Sequence, residues 1–301
     1  MPSLSEFVSF VAEKSKVENL GLVEKDVILH RILKEVSSEF SDNYLFKGGS
    51  CLVKGYFGYY RFSVDLDFTW KEQKVWQGLG KKRLRRKLLG EIESFASLLS
   101  RSSKEIGLEF EAELKNRKFI EFGGGGRIVT FKLWKASELI KIQVNFVEEL
   151  LFPPKNVRVK TLLDEAKLSK GEKAYFEEFL SFYKPFKVKA YDEKEILCEK
   201  VRAILTRRAQ KLRDFYDLFV LSKHGFKIET LKQEAIKKIR AALYYKKYRE
   251  NLERNKEALR IAKEVLEDPF ERELFVTKPQ RDFENFLKPL VRTLREIATN
   301  V

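Results

Sequence analysis

The sequence is poor in the residues that cross-link small folds or carry histidine and cysteine chemistry. Its 301 residues include two cysteines, two histidines, one methionine and seven prolines. The two cysteines, Cys51 and Cys198, are too few for a disulfide framework or a structural zinc site. The histidines, His30 and His224, leave little room for histidine-dependent nucleophilic or metal chemistry. Any chemistry of this chain therefore falls to carboxylates, lysines and hydroxyl groups.

Long apolar stretches are also missing. No run of the sequence reaches the roughly 18 consecutive apolar residues that a transmembrane helix needs. The first 13 residues mix apolar, serine and acidic side chains, and they lack the basic segment and apolar core of a signal peptide. We therefore expect no membrane partner.

Positive charge, by contrast, is abundant. The chain carries 60 Lys and Arg against 45 Asp and Glu, a formal net charge of +15. Such an excess favours a polyanionic partner, with nucleic acid first and an acidic membrane surface second. A charged fraction of 35% also fits a heat-adapted protein with surface ion-pair networks, but that interpretation does not explain the positive excess.

The hydrophobic pattern predicts an α/β N-terminal domain joined to an all-helical C-terminal domain. A hydrophobic content of 44% is enough for a sizeable core, and the length suggests two domains. We place an α/β domain at residues 1–155, a connector with one helix at 156–190, and a helical domain at 191–301. Alternating residues predict strands at Arg61–Trp70, Leu108–Leu114, Ile128–Trp134 and Leu139–Val147. The four glycines at 123–126, between two strand-like segments, favour a hairpin loop over a phosphate cradle because no P-loop Lys-Ser/Thr follows.

One predicted strand carries two aspartates. Asp65 and Asp67 are two residues apart, so their side chains share one face about 6.5–7 Å apart along the backbone and can converge on a divalent ion. Upstream, Gly48, Gly49 and Ser50 follow a short strand, where glycine lets the backbone approach a phosphate and a hydroxyl can bind its oxygens. This order favours a triphosphate and metal site over a structural turn beside a solvated strand.

A second polar cluster falls on the C-terminal helices. Lys200 shares a helix face with apolar residues, so it either extends its amine to solvent or meets an anion. Asp214 and Asp217, three residues apart, share the face of the next helix and could hold Lys200 or touch substrate. An interhelical salt bridge is the slightly favoured interpretation.

Two basic segments are suited to an RNA backbone. The first follows Gly80 on an amphipathic helix and comprises Lys81, Lys82, Arg83, Arg85, Arg86 and Lys87. The second lies after Lys237, where Tyr244, Tyr245 and Tyr248 interleave with Lys246, Lys247 and Arg249. These tyrosines could stack on bases, although core packing is the favoured role for at least one of them.

Four ordered segments together resemble the AbiEii/AbiGii toxin family of nucleotidyltransferases, within the DNA polymerase β-like superfamily. The segments are Lys47–Leu52 (KGGSCL), Arg61–Phe68 (RFSVDLDF), Glu199–Ala203 (EKVRA) and Arg213–Leu218 (RDFYDL). The motif-bearing region spans residues 44–222, about the extent of the family core.

The resemblance implies a minimal polymerase-β-type nucleotidyltransferase fold whose helical domain completes the active site. It also implies a cytoplasmic toxin of a toxin–antitoxin or phage-defence pair, which uses Mg²⁺ and a nucleoside triphosphate and modifies RNA, such as the tRNA 3′ end. Carried over residue by residue, Gly48, Gly49 and Ser50 hold the triphosphate, Asp65 and Asp67 ligate Mg²⁺, and Ser63 lies near the metal site. Arg61 and Lys200 hold triphosphate charge, and Asp214 completes the charge network.

The sequence departs from the polymerase-β pattern at one position. These enzymes place a third carboxylate on a later strand, but the polar positions here are Lys141, Gln143 and Asn145. An amide can orient a hydroxyl but cannot act as a base at neutral pH. Either Asp214 supplies the base, or the chemistry relies on metals and positioning alone. Gln143 favours one alternative, a catalytically inactive RNA-binding or antitoxin-docking protein that retains the fold. Transfer of the nucleotide to a protein acceptor is a second alternative that stays open.

Overall fold

The computed structural model describes residues 2–40, 42–276 and 281–301. The chain forms two compact units, and each contains two separate stretches of sequence. The first unit extends to Glu148 and resumes at Asn156–Ala190, and the second comprises Glu149–Lys155 and Tyr191–Val301. Residues 156–190, for which the sequence predicts a connector, thus belong to the first unit.

A seven-stranded mixed sheet forms the centre of the first unit. Its strands are β1 (Tyr44–Lys47), β2 (Asp65–Trp70), β3 (Ile120–Gly123), β4 (Ile128–Lys135), β5 (Glu138–Asn145), β6 (Lys155–Val159) and β7 (Phe186–Ala190). Their order across the sheet is β3-β4-β5-β2-β1-β7-β6. Strand β2 runs antiparallel to β1 and parallel to β5, and β1 runs parallel to β7.

Helices accompany this sheet. They are α1 (Leu4–Ser15), α2 (Leu20–Glu39), α3 (Gly48–Cys51, continued as a π-helical turn at Leu52–Phe57), α4 (Lys81–Glu105), α5 (Lys170–Tyr175) and α6 (Glu177–Phe182). Short 3₁₀ turns occupy Gln73–Trp76, Gly124–Gly126 and Glu165–Lys167. Helix α1 begins with a capping box, in which the Ser3 hydroxyl accepts from the Glu6 amide and the Glu6 carboxylate accepts from the Ser3 amide.

The two faces of the sheet differ because alternate residues of a strand point in opposite directions. Phe68 and Phe131 lie on one face, where the ring of Phe95 from α4 packs 6.0 and 5.2 Å from theirs. Burying such side chains drives folding at roughly 25 cal/mol per Å² of apolar surface. Asp67, which directly precedes Phe68, and Gln143, which lies opposite Asp67, therefore point to the opposite face.

The second unit is helical. Its elements are α7 (Glu193–Thr206), α8 (Leu212–Lys223), a 3₁₀ turn (Ile228–Leu231), α9 (Lys232–Ala242), α10 (Lys246–Ala258), α11 (Lys263–Leu266), α12 (Pro269–Glu273) and α13 (Arg281–Thr299). A buried ion pair joins α7 to α9, since Lys238 Nζ lies 2.5 Å from Glu195 Oε1. Glu195 Oε2 also accepts from the amides of Leu151 and Phe152, each at 2.8 Å, so the 149–155 segment is fixed to these helices.

The predicted fold class, an α/β region followed by helices, is confirmed. The glycines at 123–126 form the connection of the antiparallel β3–β4 hairpin, as expected. The predicted strand at Leu108–Leu114 is wrong, because this segment makes only a single bridge from Glu109 to Trp134. The sheet edge next to Ile128–Phe131 is occupied by β3, which leaves the segment only the far end of β4.

Candidate active site

A row of polar side chains crosses four adjacent strands on the open face of the sheet. Lys47 of β1 lies opposite Asp67 of β2, which lies opposite Gln143 of β5, which lies opposite Thr130 of β4. Residues directly opposite each other have neighbouring side chains on the same face. The amide of Gln143 therefore stands next to Asp67, at the place where the sequence pattern leads one to look for a third carboxylate.

The second aspartate lies one step along the same face. Asp65 is opposite Lys141 of β5, and both aspartates are partly exposed. The buried Ser63 hydroxyl donates to Asp65 Oδ1 at 3.4 Å. Sequence patterns assign no role to Lys141, although its spacing of two residues from Gln143 indicates that the two side chains share a face.

Two glycines let the turn after β1 lie against these side chains. Gly48 has a φ of +73°, which glycine adopts without strain. A Cβ on Gly48 would overlap the Asp67 carboxylate, and it would lie 3.1 Å from both Cβ and Cγ of Asp67. A Cβ on Gly49 would overlap the Arg61 guanidinium. Side chains at 48 and 49 would therefore displace an acidic and a basic group of the site.

The remaining motif side chains join the glycine turn to β2. The buried Ser50 hydroxyl donates to the carbonyl oxygen of Asp65 through a short hydrogen bond. Arg61 is only 1% exposed, and its Nη1 donates to the carbonyl oxygen of Phe62 at 2.7 Å. The structure thus brings Gly48, Gly49, Ser50 and Arg61 together around Asp65 and Asp67. Their triphosphate-binding role stays a prediction.

Sequence reasoning missed one member of this polar face, Glu148. Its Oε2 accepts from Lys47 Nζ at 2.8 Å, from Asn145 Nδ2 at 2.8 Å and from the Thr69 hydroxyl at 3.1 Å. Glu148 thereby fixes the position of Lys47 next to Asp67. No spacing signal could have found it, because Glu148 lies beyond the alternation of β5. Lys47, in contrast, directly precedes the glycine motif.

A buried polar network supports the glycine turn from behind. Lys54, in the π-helical turn, pairs with Asp26 of α2 at 2.6 Å, and Tyr183 donates to the same carboxylate at 2.7 Å. Tyr59 donates to Asp26 and accepts from Lys54 Nζ at 2.9 Å. All four groups are buried or enclosed, and burial lowers the pKa of Lys54. Removing one partner would leave a buried charge uncompensated, so this network anchors the turn firmly.

The donor set at Asp65 and Asp67 suits a hard cation such as Mg²⁺. Its candidate ligands are oxygens of the two carboxylates, with the Ser63 hydroxyl and the Gln143 amide nearby. Within the described residues, no group of three or more His, Cys, Asp or Glu side chains forms a ligand cluster. Mg²⁺ is usually held by one or two carboxylates, with waters and substrate phosphates completing the shell, so a carboxylate pair is sufficient.

Lys200 and Asp214 lie in the second unit and form a buried ion-pair cluster there. Lys200 Nζ lies 2.6 Å from Asp214 Oδ1 and 2.6 Å from Asp217 Oδ2, and Arg207 lies 2.6 Å from the other Asp214 oxygen. Burial raises the pKa of Asp214, but Lys200 and Arg207 lower it by more, so it lies below the ordinary value of 3.8. The interhelical salt bridge is confirmed, whereas contact of Lys200 or Asp214 with substrate stays a prediction.

The basic residues proposed to bind RNA occupy the first two turns of α4. Lys81, Lys82, Arg83, Arg85 and Arg86 are all exposed. Lys87 lies 5.5 Å from the ring of Trp76, which ties this helix end to the 3₁₀ turn after β2. The first two turns of α4 thus present a positive surface, and its role in RNA binding stays a prediction.

Comparisons with known proteins bear on the chain as a whole. A family model described as the nucleotidyl transferase AbiEii toxin of type IV toxin–antitoxin systems matches residues 31–299. Among solved structures, the chain is similar to an antigenic nucleotidyltransferase-like protein from Paracoccidioides brasiliensis. That similarity has 14% identity and a TM-score of 0.29, and it covers 66% of this chain and 76% of the other. Curated proteins give no significant match. Among the described helices, none is long and apolar enough to cross a membrane.

Proposed function

Because the chain belongs to the AbiEii family of nucleotidyl transferase toxins of type IV toxin–antitoxin systems, we propose that it transfers a nucleoside monophosphate from a nucleoside triphosphate to RNA. The proposed acceptor is the 3′ end of tRNA, and the proposed metal is Mg²⁺. The family implies a cognate antitoxin protein as partner, and we propose that the toxin acts in the cytoplasm.

The observation that carries the proposal is the contact between the glycine turn and the two-aspartate strand. Gly48 lies against the Asp67 carboxylate, and the Ser50 hydroxyl is bonded to the backbone of Asp65. Backbone amides able to approach a triphosphate therefore stand next to carboxylates able to hold its metal.

In the proposed reaction, a terminal hydroxyl oxygen of the RNA forms a bond to the α-phosphorus. The bond from that phosphorus to the bridging oxygen breaks, and pyrophosphate leaves. Asp65 and Asp67 would hold Mg²⁺, which when bound lowers the pKa of the attacking hydroxyl and neutralises charge on the leaving group. The Gln143 amide orients the hydroxyl by accepting its hydrogen bond, and the proton passes to solvent because an amide does not take it.

Positively charged side chains supply the remaining electrostatic stabilisation. Lys141, which is exposed and lies opposite Asp65, is placed to meet negative charge that develops beside the aspartates, whereas Lys47, opposite Asp67, already pairs with Glu148. The exposed bases at the start of α4 are proposed to follow the RNA backbone. Replacing Lys81, Lys82, Arg83, Arg85 and Arg86 by serine should flatten the dependence of RNA affinity on salt, and an unchanged slope would assign RNA binding to another surface.

A transfer assay tests the proposal directly. Purified protein is incubated with Mg²⁺, total tRNA and each α-³²P-labelled nucleoside triphosphate in turn. Asp65→Asn and Asp67→Asn should each abolish labelling of tRNA while the protein stays folded. Glu121→Gln is the matched control, because Glu121 lies on the same face of the sheet but is separated from Asp67 by the two strands β4 and β5. Unchanged labelling in either aspartate variant would contradict the metal assignment.

One contact favours a second acceptor, a protein hydroxyl. The Ser63 hydroxyl lies 3.4 Å from Asp65 Oδ1, so a hydroxyl group of the chain itself stands next to the proposed metal ligand. Label that appears on the protein and disappears in Ser63→Ala would identify this acceptor. Absence of label from every component, with RNA still bound, would instead favour a binding protein that retains the fold.

A further inference from the structure

The connection between α9 and α10 combines aromatic and basic residues without acidic ones. Leu243–Arg249, which we name the tyrosine turn, contains three tyrosines, two lysines and one arginine in seven residues. No Asp or Glu occurs between Glu234 and Glu250, so the turn carries positive charge alone. The combination of ring faces and positive charge matches what single-stranded nucleic acid requires of a binding surface.

The three rings form a continuous array instead of a core. Tyr244 and Tyr245 have centroids 5.4 Å apart at 84°, and Tyr245 and Tyr248 have centroids 5.6 Å apart at 86°. Tyr244 is 68% exposed, and the other two are half-buried. None of the three is fully buried, so the core-packing interpretation accounts only for the inner edges of Tyr245 and Tyr248.

Two arginines hold the array in place. Arg249 Nη1 donates to the carbonyl oxygens of Leu243 at 2.6 Å and Tyr244 at 3.2 Å, which closes the turn around the exposed ring. The guanidinium of Arg202, on α7, lies 6.0 Å from the ring centroid of Tyr248. Because these contacts fix the backbone beforehand, a ligand that stacks on Tyr244 loses less conformational entropy on binding.

We infer that the tyrosine turn binds single-stranded RNA, with bases stacked on Tyr244 and its neighbours and phosphates paired with Lys246 and Lys247. The Lys246 side chain is 82% exposed, and its amine lies 3.5 Å from the Glu250 carboxylate, an exposed pair that a backbone phosphate can replace. A duplex hides its base faces and cannot stack in this way, which makes an unpaired strand the expected ligand. The inference rests on the proposed function only for the choice of RNA as acceptor.

Fluorescence anisotropy with a fluorescein-labelled, unpaired 12-nucleotide RNA tests the inference. The binding reaction contains no nucleoside triphosphate, so a failure of binding is distinguishable from a failure of nucleotide transfer. Tyr244→Ala should weaken binding by about 5- to 150-fold, the range for loss of one stacked base. Tyr244→Phe keeps the ring and should bind within about twofold of wild type.

Two further variants separate stacking from charge and from general surface effects. Tyr175→Ala removes a tyrosine that is 55% exposed in the first unit, and it should leave affinity unchanged. Lys246→Ser with Lys247→Ser should lower the slope of log affinity against log salt by about 0.7 for each phosphate that is no longer neutralised. Melting temperatures identify any variant whose weaker binding arises from unfolding, and the lysine variants then provide the test.

Several results would overturn the inference. No binding by the wild-type protein would do so, as would equal losses in Tyr244→Ala and Tyr244→Phe. A fully paired version of the same RNA that binds as tightly as the single strand would show that the surface recognises charge alone. An acidic peptide of matched charge that displaces the RNA equally well would assign the surface to a protein partner instead.

Discussion

Replacing Gly48 by alanine should damage the active site far more than it damages the fold. Gly48 combines a φ of +73° with a close approach to the Asp67 side chain. The first property costs an alanine about 1–2 kcal/mol of stability, because an L-residue is crowded in the left-handed region. The second property acts on Asp67 itself, since the new Cβ would overlap its carboxylate oxygen.

The size of the catalytic effect follows from how much of Asp67 must move. The added Cβ would also lie 3.1 Å from Asp67 Cβ and Cγ, so rotating the carboxylate does not remove the conflict. The carboxylate oxygen has to retreat by about 1 Å, a misplacement that costs about 100-fold in rate at a positioned site. We therefore expect Gly48→Ala to lower nucleotide transfer by about 100-fold.

Two neighbouring glycines provide matched controls for the two effects. Gly58 has a φ of +82° and a ψ of −176°, a region essentially restricted to glycine, and no atom lies within 4 Å of an added Cβ, so Gly58→Ala introduces backbone strain without the overlap. Gly49→Ala reproduces the overlap, with Arg61, but its backbone is not left-handed. The assays are transfer to tRNA at saturating nucleoside triphosphate, and urea unfolding for stability.

The expected pattern separates strain from displacement. Gly48→Ala and Gly58→Ala should each lower the free energy of unfolding by about 1–3 kcal/mol, while only Gly48→Ala lowers activity by about 100-fold. If Gly48→Ala stays within about threefold of wild-type activity at the same loss of stability, the placement of Asp67 against the glycine turn has no catalytic role. Equal losses of activity in both variants would attribute the effect to backbone strain alone.

Three further predictions concern ionisable groups. Gln143→Glu should raise the transfer rate above neutral pH at least tenfold, because a carboxylate beside Asp67 can accept the hydroxyl proton, and a slower variant would rule out a missing base. Burial lowers the pKa of His30 well below 6.5, so the folded protein resists protonation of this side chain. The free energy of unfolding should therefore fall by about 1.4 kcal/mol for each pH unit below 6.5. In His30→Phe, urea unfolding should show no such dependence on pH. Asp214→Asn should lower the free energy of unfolding by about 3 kcal/mol at pH 7. Because the folded pKa of Asp214 lies below 3.8, the difference in this free energy between variant and wild type should decrease only as the pH falls below 3.8. A constant difference down to pH 3 would contradict the ion pair with Lys200.

The strand that carries Asp65 and Asp67 was predictable because alternation of apolar and polar residues is a local signal. Its placement between β1 and β5 was not, since no local pattern specifies strand partners. Strands β6 and β7 escaped prediction for a related reason. Strand β6 directly follows Pro153 and Pro154, β7 directly follows Pro185, and only short helices lie between them, so neither periodicity extends far enough to be recognised.

The site was predictable in its residue types more than in their contacts. Glycine at 48 and 49 signalled a close approach, but the sequence does not say that the approaching groups are Asp67 and Arg61. The interhelical pairing of Lys200 with Asp214 followed from helical spacing. Glu148, in contrast, depends on how the chain turns after β5, and that turn is fixed by the Gln73 side chain, which accepts from the Glu148 amide at 2.8 Å.

The parallel pairing of β1 with β7 affects how the toxin matures during synthesis. Phe46 pairs with Ala190, which the ribosome adds more than 140 residues later, so β1 remains an unpaired edge of the nascent sheet for most of translation. Such long-range pairing is slow to form and leaves strand edges open to aggregation or to other chains. Because Gly48 and Gly49 follow β1 directly, the strand that carries the loop facing Asp67 is paired only with β2 until β7 has been synthesised. The newly made chain therefore passes through a late assembly step before its catalytic groups are held in final register.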